Sequence, residues 1–257
     1  MSYLIICIVS LTASGLTFFS GFGLGTLLLP AFALFVPVEQ AIALTAIVHF
    51  LNSLYKVLLV RGLVNRQVLL WFGLPAIAAA IIGAWVLGQL AVVPPLMEYT
   101  LWGKPCFITP LNLAIGLLLC VFALLELIPA TSSLSFDSRW MTLGGIASGF
   151  FGGLSGMQGA LRSAFLIRAG LSKEAFVATG AAIACLVDLS RLSVYTTRLT
   201  AVANSLDLLL LACGVGAAFL GATLGRLMLA KVKLVAVQRI VAAMMLVVAI
   251  YLIAGFG

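Results

Sequence analysis

The chain is a succession of long apolar runs separated by short polar ones, at 3–36, 39–60, 67–91, 108–128, 140–168, 174–195, 203–229 and 236–256. A helix needs about 20 residues to cross a bilayer, and six of these runs read as single spanning helices. The other two, 3–36 and 140–168, are too long for one straight span. As one helix the first would reach about 51 Å. Both contain glycine clusters, Phe19-Ser-Gly-Phe-Gly-Leu-Gly-Thr-Leu-Leu-Leu-Pro30 and Gly149-Phe-Phe-Gly-Gly-Leu-Ser-Gly-Met-Gln-Gly-Ala-Leu-Arg162. Glycine weakens a helix and tolerates unusual backbone angles, so each long run is predicted to break at its cluster. Folded into two arms of roughly 24 Å, such a run falls short of the ~30 Å hydrocarbon core.

The pattern repeats. Glu39-Gln40-Ala41 opens the second run and Thr45 follows; Glu174-Ala175 opens the sixth and Thr179 follows. Tyr55 and Tyr195 each close their run, and the polar stretch Pro129-Ala-Thr-Ser-Ser-Leu-Ser-Phe-Asp-Ser138 lies between the halves. The expectation is a duplication: a first transmembrane repeat over 1–128, a connecting loop over 129–139 and a second repeat over 140–257.

Basic residues orient the repeats, because cytoplasmic loops are enriched in Lys and Arg. Setting aside Lys56, Arg162 and Arg191 within spans leaves eleven of the fourteen basic residues. If every run crosses once, Arg61, Arg66, Arg139 and Arg198 face seven others across the membrane. If 3–36 and 140–168 instead fold back as hairpins, nine gather on one side and only Lys104 and Arg198 remain on the other. The second arrangement is sharper. It gives each half a glycine-broken hairpin followed by three transmembrane helices, with both termini outside. An odd number of crossings inverts the second repeat, the usual basis of alternating access. The predicted fold class is therefore an all-α polytopic membrane protein built of two inverted repeats.

Composition fits. Residues are 64% hydrophobic and 8% charged, too apolar for a soluble surface. A β-barrel would alternate polar and apolar positions. The run from Tyr3 has no basic region before it and no small-residue cleavage site, and reads as a retained membrane segment. The net charge of +7 belongs to topology-setting loops rather than to nucleic-acid binding. Cys7, Cys106, Cys120, Cys185 and Cys213 form no Cys-x-x-Cys pair, so no metal, redox centre or cofactor is called for.

Chemistry gathers at the breaks. A half-helix beginning near Gly25 or Gly156 points free N–H groups and its positive dipole end inward, which suits an anion. Gly21, Gly23 and Gly25, with Gly152, Gly153 and Gly156, allow close backbone approach. Ser20, Thr26, Ser155 and Gln158 add hydrogen-bonding groups. Arg162 shares a helix face with Gln158 and Ser155, and its planar fork matches oxyanions. Its alternative is to snorkel to the cytoplasmic interface. Asp188 and Arg191, three apart, are either a structural ion pair or a proton-carrying carboxylate tuned by its neighbour. Thr45, His49, Asn52, Ser53 and Lys56 form a polar stripe at helical spacing that should line a cavity or another helix. His49, Asn52, Asp188 and Arg191 are thus candidate coupling or pore-lining residues, and Lys56 is expected to snorkel toward Arg61.

The strings Gly21-Phe-Gly-Leu-Gly-Thr-Leu-Leu-Leu-Pro30, Ala41-Ile-Ala-Leu-Thr45 and Gly149-Phe-Phe-Gly-Gly-Leu-Ser-Gly-Met-Gln-Gly159 resemble the TauE/SafE sulfite exporter family, along essentially the whole chain. That family more often carries consecutive glycines where this chain has Leu24-Gly25-Thr26, and a Gly where it has Gln158. The resemblance implies a multi-pass protein of the bacterial inner membrane. It implies transport of a small sulfur-containing anion, such as sulfite, thiosulfate or an organosulfonate, with export driven by an ion gradient. Homo-oligomerisation is left open. The absence of a P-loop pattern agrees with a transporter that does not use ATP. The alternative is an intramembrane enzyme using His49, Asp188 and Ser155, or a non-transporting accessory protein. No motif pairs a nucleophile with a base.

Overall fold

The structure is a computed structural model, which describes residues 1–20, 24–60, 62–101, 103–127, 135–198, 206–228 and 234–256. The first long run is broken, as its glycines require: α1 (Ser2–Ser20) and α2 (Leu24–Ala33) flank the cluster. Next come α3 (Val38–Leu59), α4 (Arg66–Ala91) and α5 (Pro110–Leu127). The second broken run gives α6 (Met141–Ser155) and α7 (Gly159–Leu166). It is followed by α8 (Lys173–Arg198), α9 (Leu208–Met228) and α10 (Leu234–Ile253). Among the described residues five helices are long and apolar enough to cross a membrane, and the chain is a multi-pass helical membrane protein. The ten residues of α2 and eight of α7 span only about 15 and 12 Å. The arms of each hairpin are therefore unequal, where equal arms were expected.

One element adds to the all-α expectation. Strands β1 (Met97–Leu101) and β2 (Lys104–Ile108) pair antiparallel between α4 and α5, with Tyr99 opposite Cys106. Gly103 takes φ 76° at the turn. The run of β-branched and aromatic residues there is short and alternates weakly, which hid it among apolar segments. The hairpin rests on the C-terminus: the Phe107 N–H donates to the Gly255 carbonyl at 2.9 Å and the Tyr99 hydroxyl to the Ala254 carbonyl at 2.5 Å.

Close helix contacts explain many of the glycines. On α6, Gly145, Gly149 and Gly153 recur every four residues; a methyl on each would collide with the Phe72, Ala76 and Ala80 carbonyl oxygens of α4. Gly83 of α4 returns the contact to Phe150. In the other half, Gly221 of α9 fits against the Leu11 carbonyl of α1, and Gly15 of α1 against the carbonyl of Gly221. Small residues at four-residue spacing let backbones approach, the common way helices associate in lipid. The two contacts correspond: α1 lies along α9 as α6 lies along α4, and α3 packs on α8 as α5 packs on α10.

A π-turn at Leu69–Gly73 interrupts α4 just before Pro75. Proline has no N–H and its ring displaces the carbonyl four residues back. That carbonyl, of Trp71, instead accepts the Thr142 hydroxyl of α6 at 3.4 Å.

Segment ends meet in pairs. Phe136 N–H donates to Ala164 O at 3.1 Å, and Asn65 N–H to Thr179 Oγ1 at 2.9 Å. The Tyr3 hydroxyl donates to Asp207 Oδ2 at 2.8 Å.

Candidate functional site

The polar stripe of α3 turns inward. Thr45, His49, Asn52, Ser53 and Lys56 are all buried, at 0–8% exposure, although α3 is flanked by apolar surface elsewhere. They face α8, whose Asp188 and Arg191 are fully buried. The two helices are joined through charge. His49 Nδ1 lies 2.5 Å from Asp188 Oδ2, and Arg191 Nη2 lies 2.9 Å from Asp188 Oδ1. Gln158, between α6 and α7, donates to the same carboxylate at 3.4 Å. Asp188 thus binds a histidine, an arginine and an amide from three segments. The readings of Asp188 with Arg191 did not include His49, which the sequence grouped in one site with Asp188 only in the enzyme alternative.

The hairpin breaks converge on this cluster. Gly156 caps α6 with φ 84°, a left-handed conformation that side chains rarely adopt, and its N–H closes back on the Gly152 carbonyl at 2.9 Å. A methyl on Gly156 would lie 2.5 Å from Arg191 Nη1. A methyl on Gly25 would lie 2.7 Å from the Gly156 carbonyl oxygen and 3.6 Å from the His49 ring. The two glycine tips therefore touch each other beside the buried charges. The Tyr195 hydroxyl, also buried, holds the α6 end by donating to the Gly153 carbonyl at 2.7 Å.

A cavity of about 30 Å³ opens next to the tips. Its walls are Phe18, Leu24, Val177, Ala181 and Ala184, with His49, Asn52, Ser53, Lys56 and Arg162 as polar lining. Arg162 is 4% exposed and Lys56 8%. Neither snorkels. Lys56 Nζ sits over the Phe18 ring at 5.6 Å, a cation–π contact that offsets part of its desolvation. Lys56 was expected to snorkel toward Arg61; Arg61 lies outside the described residues, and Lys56 itself is buried against Phe18.

The predicted residues divide. Gly25, His49, Gly156, Gln158, Asp188 and Arg191 form one contiguous cluster, and Asn52 and Arg162 line the adjoining cavity. Thr26 is buried on α2. Gly152 packs against Val187 and Gln158, and Gly153 against α4. Ser155 bonds back to the Phe151 carbonyl of its own helix at 3.1 Å. Gly21 and Gly23 lie outside the described residues, as does the side chain of Ser20. Phe18, Lys56 and Ser53 line the cavity without having been chosen for the site. The spacing of Ser53 and Lys56 with His49 was the available signal for two of them; Phe18 gave none.

Several donors and acceptors at the centre have no hydrogen-bond partner among the described residues: Asn52 Nδ2, Arg191 Nε and Nη1, and Gln158 Oε1. Buried groups of this kind are costly unless something binds them. Among the described residues three basic side chains, Lys56, Arg162 and Arg191, are buried with one acidic side chain, Asp188. Among the described residues no group of His, Cys, Asp and Glu is disposed to hold a metal ion.

A family model described as "Sulfite exporter TauE/SafE" matches residues 6–252. No curated protein matches the chain.

Proposed function

This chain belongs to the TauE/SafE sulfite exporter family, and we propose that it is a secondary transporter moving sulfite or an organosulfonate out of a bacterial cell across the inner membrane. The single observation that carries this reading is the group of buried basic side chains, Arg191 where the glycine tips of two broken helices meet and Lys56 and Arg162 in the cavity beside them. A charge inside a membrane is expensive and marks a transport pathway when it faces a cavity. An anion entering there offsets Lys56, Arg162 and Arg191 together.

The transport cycle is alternating access by two inverted repeats, 1–128 and 140–257, joined by 129–139. Pairing of segment ends supports this topology. Ser2–Ala33 and Met141–Leu166 as re-entrant hairpins put 65, 136, 164 and 179 on one side, and 99, 107 and 255 on the other. The bonds Asn65–Thr179, Phe136–Ala164 and Phe107–Gly255 each require their two ends to share a side. Eight full crossings would separate every one of those pairs. The matched contacts of α1 on α9 and α6 on α4 further support a two-fold relation. Binding sites at the meeting of two broken helices are a recurring feature of inverted-repeat transporters.

His49 and Asp188 provide the coupling. The imidazole shares the Asp188 carboxylate with Arg191 and Gln158. The state of this pair changes the charge seen by an anion beside Gly25 and Gly156.

Sulfite flux into proteoliposomes, with and without an imposed pH gradient, tests the function. Gradient-dependent flux that is lost in Arg162→Ala is the expected result. Absence of flux for sulfite, thiosulfate and sulfoacetate alike overturns it and favours an accessory role.

A further inference from the structure

The glycine tips and the cavity are adjacent but different places, and their chemistry differs. At the tips, Asp188 already consumes His49 and one nitrogen of Arg191. Among the described residues the cavity has no carboxylate in its lining, and it carries two basic side chains, Lys56 of α3 and Arg162 of α7. Asn52 completes it. Its Oδ1 accepts the Ser14 hydroxyl of α1 at 2.8 Å, and Nδ2 is the amide atom left over. Nδ2 has no partner among the described residues, and Asn52 is 1% exposed. Ser53 stands beside it on the lining, and His49 forms the boundary with the Asp188 cluster.

We propose that this cavity is the loading subsite for the transported anion, and that it selects a compact oxyanion with a single central atom over a sulfonate bearing a carbon tail. The inference rests on the transport reading and narrows it. Size is the first argument. One buried water needs about 10–15 Å³ of such space and corresponds to about 30 Å³ of liquid, so a 30 Å³ cavity has the room of roughly two waters. An atom with three oxygens fills that room, and an added alkyl or aryl group has to extend out of it. Donor geometry is the second. Arg162 offers a planar fork, Lys56 an ammonium and Asn52 an amide N–H, three kinds of donor lining one cavity. The apolar remainder, Phe18, Leu24, Val177, Ala181 and Ala184, excludes competing water and strengthens each of these interactions.

The test is binding, separate from flux. Isothermal titration of the purified full chain with sodium sulfite and with sodium ethanesulfonate is compared for wild type, Asn52→Leu, Lys56→Met and Lys56→Arg, each checked for a monodisperse elution profile. Loss of a charge-assisted hydrogen bond weakens sulfite binding by about 10- to 100-fold in Asn52→Leu and Lys56→Met. Lys56→Arg keeps the charge and retains most of the affinity. Ethanesulfonate binds wild type at least about tenfold more weakly than sulfite. Unchanged sulfite affinity in Asn52→Leu and Lys56→Met overturns the subsite, even in a protein that transports sulfite. Equal affinity for ethanesulfonate overturns the size limit. Failure of the transport reading shows elsewhere, as absent flux in the liposome assay.

Discussion

Replacing Asp188 by Asn is the most informative single perturbation. The substitution conserves shape and removes one charge. Asp188 is fully buried and is the shared acceptor for His49, Arg191 and Gln158. Asparagine leaves Arg191 as a buried cation with no carboxylate beside it. Breaking a buried pair from one side costs about 3–5 kcal/mol, because the remaining charge stays desolvated. For a chain of this size each kcal/mol moves the melting temperature by about 2–4 °C, so Asp188→Asn is expected to melt roughly 6–20 °C below wild type in detergent. Adding Arg191→Met removes the orphaned charge and fills its volume with an apolar chain. Exchange of a whole buried pair for packed hydrophobics is often near neutral, so the double variant recovers most of the loss. The assay is thermal unfolding of wild type, both single variants and the double. A double variant no more stable than Asp188→Asn, or a single variant that melts with wild type, would refute the charge-pair account of the core.

Three further outcomes follow from other parts of the molecule. Gly149→Ala places a methyl against the Ala76 carbonyl and costs about 1–3 kcal/mol, whereas Gly216→Ala on α9 meets nothing within 4 Å and gains about 0.4–1 kcal/mol; paired melting curves check the contrast. Single cysteines at Asp137 and Ser172, in a background lacking the native five, are expected to react with an impermeant maleimide from one side, and cysteines at Thr100 and Asp207 from the other. Labelling of Asp137 and Ser172 from opposite sides would sink the hairpin topology. The Asp207 carboxyl is held below its ordinary range by the Leu210 N–H and then by the Tyr3 hydroxyl. Its folded value lies under the unfolded one, so its contribution is present above about pH 4 and is lost as pH falls through the folded value. Hydrogen exchange at the outer ends of α1 and α9 is expected to rise on acidification in wild type and to lose that dependence in Asp207→Asn.

The breaks were legible because glycine clusters sat in runs too long for one span; the structure ends α6 at Ser155 accordingly, while residues 21–23 of the first cluster lie outside the described residues. The α3 stripe was legible from its period. What period alone does not carry is the partner: His49 and Asp188 are separated by 139 positions, and no local pattern joins them. The same limit affected the glycines. Gly152 and Gly153 are neighbours in sequence, yet they point to different helices, α8 and α4. Only a four-residue count from Gly145 through Gly149 distinguishes the packing glycine, and that count competes with the break motif for the same residues. Lys56 was misdirected for a similar reason. Its place near the end of α3 favours snorkelling, but Phe18 from α1 supplies a closer site for the ammonium.

A membrane core that buries three basic side chains around one carboxylate makes anion binding visible as stability. Each desolvated ion carries a penalty of several kcal/mol; Asp188 and the Phe18 ring meet part of it. An anion in the cavity reduces what remains and binds only the folded protein. Mass action then stabilises by about 2.7 kcal/mol at one hundred times the dissociation constant, a rise of roughly 5–11 °C for a chain of this size. Sodium sulfite is expected to produce this rise, and sodium chloride at matched ionic strength is not, since general screening reaches all anions alike. Asn52→Leu keeps the three basic side chains but lacks the amide, so its shift with sulfite falls at the same concentration. If chloride raises the melting temperature as far as sulfite does in both proteins, the buried charge is being screened and no oxyanion site is being filled.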